Sequence, residues 1–111
     1  MKIYSIENEL LKVSACDRQG ELFSIQSKKS GFEYLWQGDS KYWADRAIIP
    51  FPIFGRLYQG KYTYEGNAYE LGCHGLIRGR MTELKSISDN EIVFEYTSDD
   101  ETRKLYPFDF A

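Results

Sequence analysis

Three short runs open the chain, "KIYSIEN", "LLKVSAC" and "ELFSIQS", and their partial period-two alternation, with Phe23 and Ile25 in step, predicts strands. Asn8 closes the first run and "DRQG" at Asp17 to Gly20 the second, residue types that accept the backbone angles of a reversal, so an antiparallel meander is expected. The same grammar continues along the chain. "FEYLW" reads as a further strand, "KYTYEGNAYEL" as a hairpin turning at Gly66-Asn67, and "MTELKSIS" and "EIVFEYTS" as two strands joined through Asp89-Asn90. "TRKLYPFDF" reads as a last strand, apolar at Leu105, Phe108 and Phe110, which predicts a chain that stops inside an element. Helix is expected only as a single turn in "GDSKYWADR", capped by Asp39 or Ser40. "AIIPFPIFGRL" is apolar but carries Pro50 and Pro52, which cannot donate to a sheet ladder; it is expected to be a buried, irregular connection.

With 111 residues there is room for one domain, and nine tyrosines and seven phenylalanines suit pleated, half-buried surfaces, so the class expected is all-β. The formal charge of −3 is spread without a basic stripe, which argues against nucleic acid or an anionic membrane as partner. No apolar run approaches the ~20 residues that span a bilayer, and "MKIYSIENELLKVS" lacks the continuous apolar segment of a signal peptide. Cys16 and Cys73 are two distant thiols, expected to be reduced in a cytoplasmic protein. With a single histidine beside them, they lack the four clustered ligands of a structural zinc site.

The candidate chemistry is concentrated in "YELGCHGLIRGR". His74 sits between Gly72-Cys73 and Gly75, where a flexible backbone lets another group approach closely; its imidazole, with an intrinsic pKa near ~6.5, can exchange a proton or bond a hydroxyl. The competing reading is a turn histidine with a solvated ring. Arg56 ends the apolar run "PFPIFG", so its guanidinium must reach solvent, a carboxylate or a polar ligand. Arg78 and Arg80 flank Gly79 and could meet an anion, although no glycine-rich phosphate loop accompanies them. Trp36, Tyr42 and Trp43 serve either as core or as a stacking platform for a sugar.

The order of the segments "EYLWQGDSKYW", "PFPIFGRL", "GKYTYEGNAYEL", "HGLIR" and "YPFDF" resembles the first part of the aldose 1-epimerase-like, or galactose mutarotase-like, family, over nearly the whole chain from Phe32. The resemblance implies an antiparallel β-sandwich of the galactose mutarotase-like supersandwich type, here incomplete, with residues 1–111 as a single partial domain. It implies a small-molecule sugar as partner, no cofactor, and interconversion of the α and β anomers of an aldose or aldose phosphate. By that resemblance Arg56 and His74 contact sugar hydroxyls, His74 in an assisting catalytic role, and Arg78 matches the arginine that helps hold a phosphate in one branch of the family.

Two departures accompany the resemblance. The family's "HGFAR" is "HGLIR" here, with Leu76 in place of an aromatic. The family's general acid and general base lie downstream of "YPFDF" in chains more than twice as long. Two readings therefore stand side by side: part of a sugar-converting enzyme, or a non-catalytic carbohydrate-binding or assembly module. Half of a sandwich would expose strand edges, and self-association through them is the expected consequence.

Overall fold

The computed structural model describes all residues, 1–111. The opening runs form an antiparallel sheet of β1 (Ile3–Glu7), β2 (Leu11–Cys16) and β3 (Leu22–Ser27), in the order β1-β2-β3. Its register sets Ile6, Val13 and Ile25 side by side on one face and Ser5, Ser14 and Ser24 on the other. Two hairpins follow: β4 (Lys61–Tyr64) with β5 (Asn67–Glu70), and β6 (Glu83–Ile87) with β7 (Ile92–Glu95). The ring of Phe94 on β7 meets Tyr4 on β1 edge-on at 5.8 Å, which lays this second hairpin against the first sheet.

The meander, both later hairpins and the irregular proline segment agree with the sequence reading; four local expectations do not. "FEYLW" forms no strand: it runs beside β3 through Ser27 N–H to Phe32 O and Tyr34 N–H to Ile25 O, while the Glu33 side chain takes the N–H of Ile25 that a strand carbonyl would have taken. The β4–β5 turn is Glu65-Gly66, with φ of 48° and 79°, and Asn67 already belongs to the strand. "DETRKL" is a helix, α1 (Asp100–Leu105), because Asp99 accepts from Thr102 N–H while Thr102 Oγ1 accepts from Asp99 N–H. That reciprocal cap, with Asp100 and Glu101 in the first turn and Arg103 and Lys104 in the last, outweighs the β-like residues that follow. Finally, the proline segment is irregular as expected but only partly buried: Phe54 is exposed and Pro52 and Ile53 are half-buried.

Burial is sparse and mostly polar. Only 11 of 111 residues are buried, and among them Ser14, Asp17, Gln19, Glu21, Asp45 and Thr102 outnumber the apolar ones. The centre is the β2–β3 turn. Gln19 N–H donates to Arg80 O at 2.6 Å, its side-chain Oε1 accepts from Gly79 N–H at 2.7 Å, and Asp17 O accepts from Thr82 N–H. Glu21 accepts from Ala47 N–H, so one turn holds two distant loops. The molecule measures 57 × 33 × 18 Å with a radius of gyration of 16.7 Å, against about 13 Å for a closed domain of this length. This is an open layer, with exposed large apolar side chains such as Ile3, Leu22 and Val93 on its strands.

The chain's last residues pack back rather than pairing as a strand. Tyr106 and Phe110 lie against Phe51 at 6.2 and 4.8 Å between ring centres, and Tyr62 OH donates to Leu105 O at 2.7 Å. Burial, with Tyr69 and Tyr106 nearby, pushes the Tyr62 phenol above its ordinary range. The phenol is therefore kept neutral by folding: its contribution is complete below the ordinary tyrosine pKa of ~10 and is lost as pH rises through the raised value. A Tyr62→Phe variant should unfold in urea with about 1 kcal/mol less stability at neutral pH, and should lose less than the parent on titration above about pH 10.

Candidate functional site

Two segments far apart in sequence are bonded into one unit. Phe51 N–H donates to His74 O at 3.1 Å, His74 N–H to Gly55 O at 2.8 Å, and Leu76 N–H to Phe51 O at 2.6 Å. Phe51 and Gly75 thus form a parallel bridge outside any regular sheet. The approach is close enough to require glycine: Gly75 has φ of 81°, and a Cβ there would lie 2.2 Å from the Phe51 carbonyl oxygen. His74 itself is held at φ of 65°, a conformation unusual for a side-chain-bearing residue, stabilised by backbone bonds on both its N–H and its carbonyl. The Pro50-Phe51-Pro52 sequence suits this arrangement, since the Phe51 backbone donates and accepts here while neither proline needs to donate.

The polar groups on this unit divide into two sets. His74 Nδ1 accepts from Gly55 N–H at 3.0 Å, and Phe54 meets the imidazole edge-on at 5.3 Å; Nε2 has no partner within the chain. Arg56, next in sequence to Gly55, is exposed and pairs with no carboxylate. The Gly55–His74 contact therefore bonds His74 to the backbone that immediately precedes Arg56. Arg78 has a partner of its own: its guanidinium donates to Asp45 at 2.9 Å, and Asp45 also lies 3.8 Å from Arg18, which reaches Glu21 at 3.9 Å. Sequence reasoning singled out neither Asp45 nor the Asp17–Glu21 turn as more than loop residues. A buried acidic residue reveals itself only when its two arginines arrive from other parts of the chain.

The aromatic segment is not core: Trp36, Tyr42 and Trp43 are 42%, 71% and 44% exposed. Trp36 Nε1 donates to Trp43 O at 2.8 Å and its ring meets Tyr42 edge-on, while Asp39 accepts from Lys41 N–H to form the expected single turn. Behind the Phe51 loop is an apolar cavity of about 240 Å³, lined by Ile49, Pro50, Phe51, Ile77, Tyr96 and Phe110. Both cysteines are free; burial and the Glu21 carboxylate push the Cys16 thiol up, leaving it the less reactive form. No helix is long and apolar enough to cross a membrane.

The family model described as aldose 1-epimerase matches residues 2–111. The chain belongs to the aldose 1-epimerase family. It is 33% identical over 110 residues to protein LacX of Lactococcus lactis subsp. lactis, covering 95% of this chain and 36% of that protein. The X-ray structure of a galactose mutarotase related enzyme from Lactobacillus acidophilus superposes with a TM-score of 0.95 at 38% identity, covering 97% of this chain and 36% of the other. A galactose mutarotase-like protein from Lactobacillus casei superposes at 0.92 with 31% identity, covering 97% and 37%. This aldose 1-epimerase family chain therefore has the galactose mutarotase-like fold, all-β and antiparallel, and spans little more than a third of the length of the relatives it matches.

The Phe51–Gly75 approach makes a sharp prediction. Gly75→Ala adds a Cβ against a backbone carbonyl at a left-handed position and should cost about 3 kcal/mol or more. Gly66→Ala, at φ of 79° but facing open space, should cost only about 1–2 kcal/mol. Urea midpoints for the two variants measure the difference, and equal losses would contradict the packing described.

Proposed function

We propose that this chain supplies one wall of a sugar groove, on which Arg56 and His74 hold hydroxyls of an aldose, within a protein that interconverts α and β anomers. The observation that supports this reading is the Gly55–His74 contact: it joins the backbone next to Arg56, which pairs with no carboxylate, to His74, whose Nε2 has no partner within the chain. Both are donors suited to hydroxyl oxygens, and membership of the aldose 1-epimerase family supports a small sugar as what they meet. Arg78 belongs to the reading through the guanidinium donors that its bond to Asp45 leaves free, where a sugar phosphate would be met.

Anomer exchange needs a base to take the anomeric hydroxyl proton and an acid to protonate the ring oxygen; the ring opens, the C1–C2 bond rotates, and reclosure returns both protons. Those groups must stand on opposite sides of the sugar. A chain with one histidine, placed on one wall, supplies binding and assistance to that chemistry rather than both proton transfers. The 111-residue chain should therefore bind aldoses without speeding their anomer exchange.

Two-dimensional NMR of the chain titrated with galactose or glucose should shift resonances at His74 and Arg56, and either residue's change to Ala should weaken binding by about tenfold. Silence at both residues for every aldose tried would sink the groove. Saturation-transfer NMR of the sugar tests the second half: acceleration of exchange by this chain, abolished in His74→Ala, would show that one wall suffices for catalysis.

The same open layer leads us to propose self-association. The outer edges of β1 and of the two hairpins carry no partner strand, and apolar side chains stand exposed on them. Size-exclusion chromatography should show apparent mass rising with concentration; a single monomer peak across the accessible range would refute it.

A further inference from the structure

We infer that the Gly55 backbone amide fixes His74 as the Nε2–H tautomer, so that its ring acts as an oriented hydrogen-bond donor that reads an acceptor oxygen on the ligand. That the ring faces a sugar rests on the groove reading above; the tautomer does not. A backbone N–H can only donate, so the Nδ1 atom 3.0 Å from Gly55 N presents its lone pair, and the proton of the neutral ring resides on Nε2.

Three further constraints keep the ring from escaping this choice. The His74 backbone is bonded to the same segment at both ends, through His74 N–H to Gly55 O and Phe51 N–H to His74 O. Gly75 leaves no room for the two segments to separate and re-dock with a side chain between them, its α-carbon lying against the Phe51 carbonyl. Phe54 flanks the imidazole edge-on at 5.3 Å, and turning the ring over would set a carbon against the Gly55 amide and leave that donor unpaired.

The consequence concerns which ligands fit. Nε2–H is a donor, and the exposed Arg56 guanidinium that follows Gly55 in sequence adds donors and no acceptor to the candidate site. It suits hydroxyl, ring or phosphoryl oxygens, and it opposes an ammonium group at the same position. Gly55 is in this sense a positioning residue: it acts on the ligand only through the ring it orients.

Because His74 is the sole histidine, a chain labelled with ¹⁵N-histidine gives one pair of ring nitrogens, read directly by long-range ¹H–¹⁵N correlation without any sugar. In the neutral ring, Nδ1 should resonate as an unprotonated nitrogen and Nε2 as a protonated one; the opposite tautomer, or the averaged pattern of free imidazole, would overturn the inference. The donor role is read from two variants titrated with galactose. His74→Gln, whose amide N–H₂ can stand near Nε2, should stay within about threefold of the parent, whereas His74→Phe should lose about tenfold or more. Equal losses in both, with chemical shifts elsewhere unchanged, would reject the donor role. If the parent binds no aldose, the groove reading fails while the nitrogen spectrum still decides the tautomer.

Discussion

The contact between the Phe51 carbonyl and the α-carbon of Gly75 governs the backbone geometry of the candidate site. It allows two irregular segments, neither of which belongs to a sheet, to share four backbone hydrogen bonds. From that pairing follow the orientation of the His74 ring and the wall of aromatic rings from Tyr106 and Phe110 behind Phe51. Backbone bonds at both sides of His74 offset its left-handed conformation, and so local strain and site geometry have the same origin.

Elsewhere the structure is held by polar rather than apolar burial. The β2–β3 turn gathers Asp17, Gln19 and Glu21 and binds the loops at Asp45–Ala47 and Gly79–Thr82, while five apolar residues complete the buried set. The Arg18–Asp45–Arg78 network belongs to this framework, which ties a candidate ligand-binding arginine to the structural centre. An arrangement so rich in hydrogen bonds has well-defined geometry, yet its thin apolar interior gives it little hydrophobic stabilisation. The relatives, nearly three times as long, share this layer closely over the matched region.

Most strands were legible because alternation and turn residues are local signals. β1 to β3 and both hairpins were read from them, although the turn at Glu65-Gly66 was displaced by one residue, since a non-glycine residue took the left-handed position beside Gly66. α1 was legible in principle: Asp99 followed three residues later by Thr102 is a capping pattern, but it was masked by the apolar Leu105, Phe108 and Phe110. "FEYLW" reads as a strand, and its β3 neighbour does accept it alongside; the Glu33 carboxylate, by taking backbone donors itself, ends the ladder after one bridge.

The amino-acid sequence by itself determined an antiparallel all-β layer, an irregular proline segment and the family, because these depend on alternation, on a missing N–H and on the order of short segments. It also marked Arg56, His74 and Arg78 as the residues to watch. Only the tertiary structure decided their surroundings: the Gly55 amide, next to Arg56 in sequence, orients the His74 ring, whereas Asp45 draws Arg78 into another network. The physical reason is distance along the chain. A hydrogen bond between residues 19 positions apart, or an ion pair between residues 33 apart, leaves no periodic trace, and exists only once the backbone has brought its partners together.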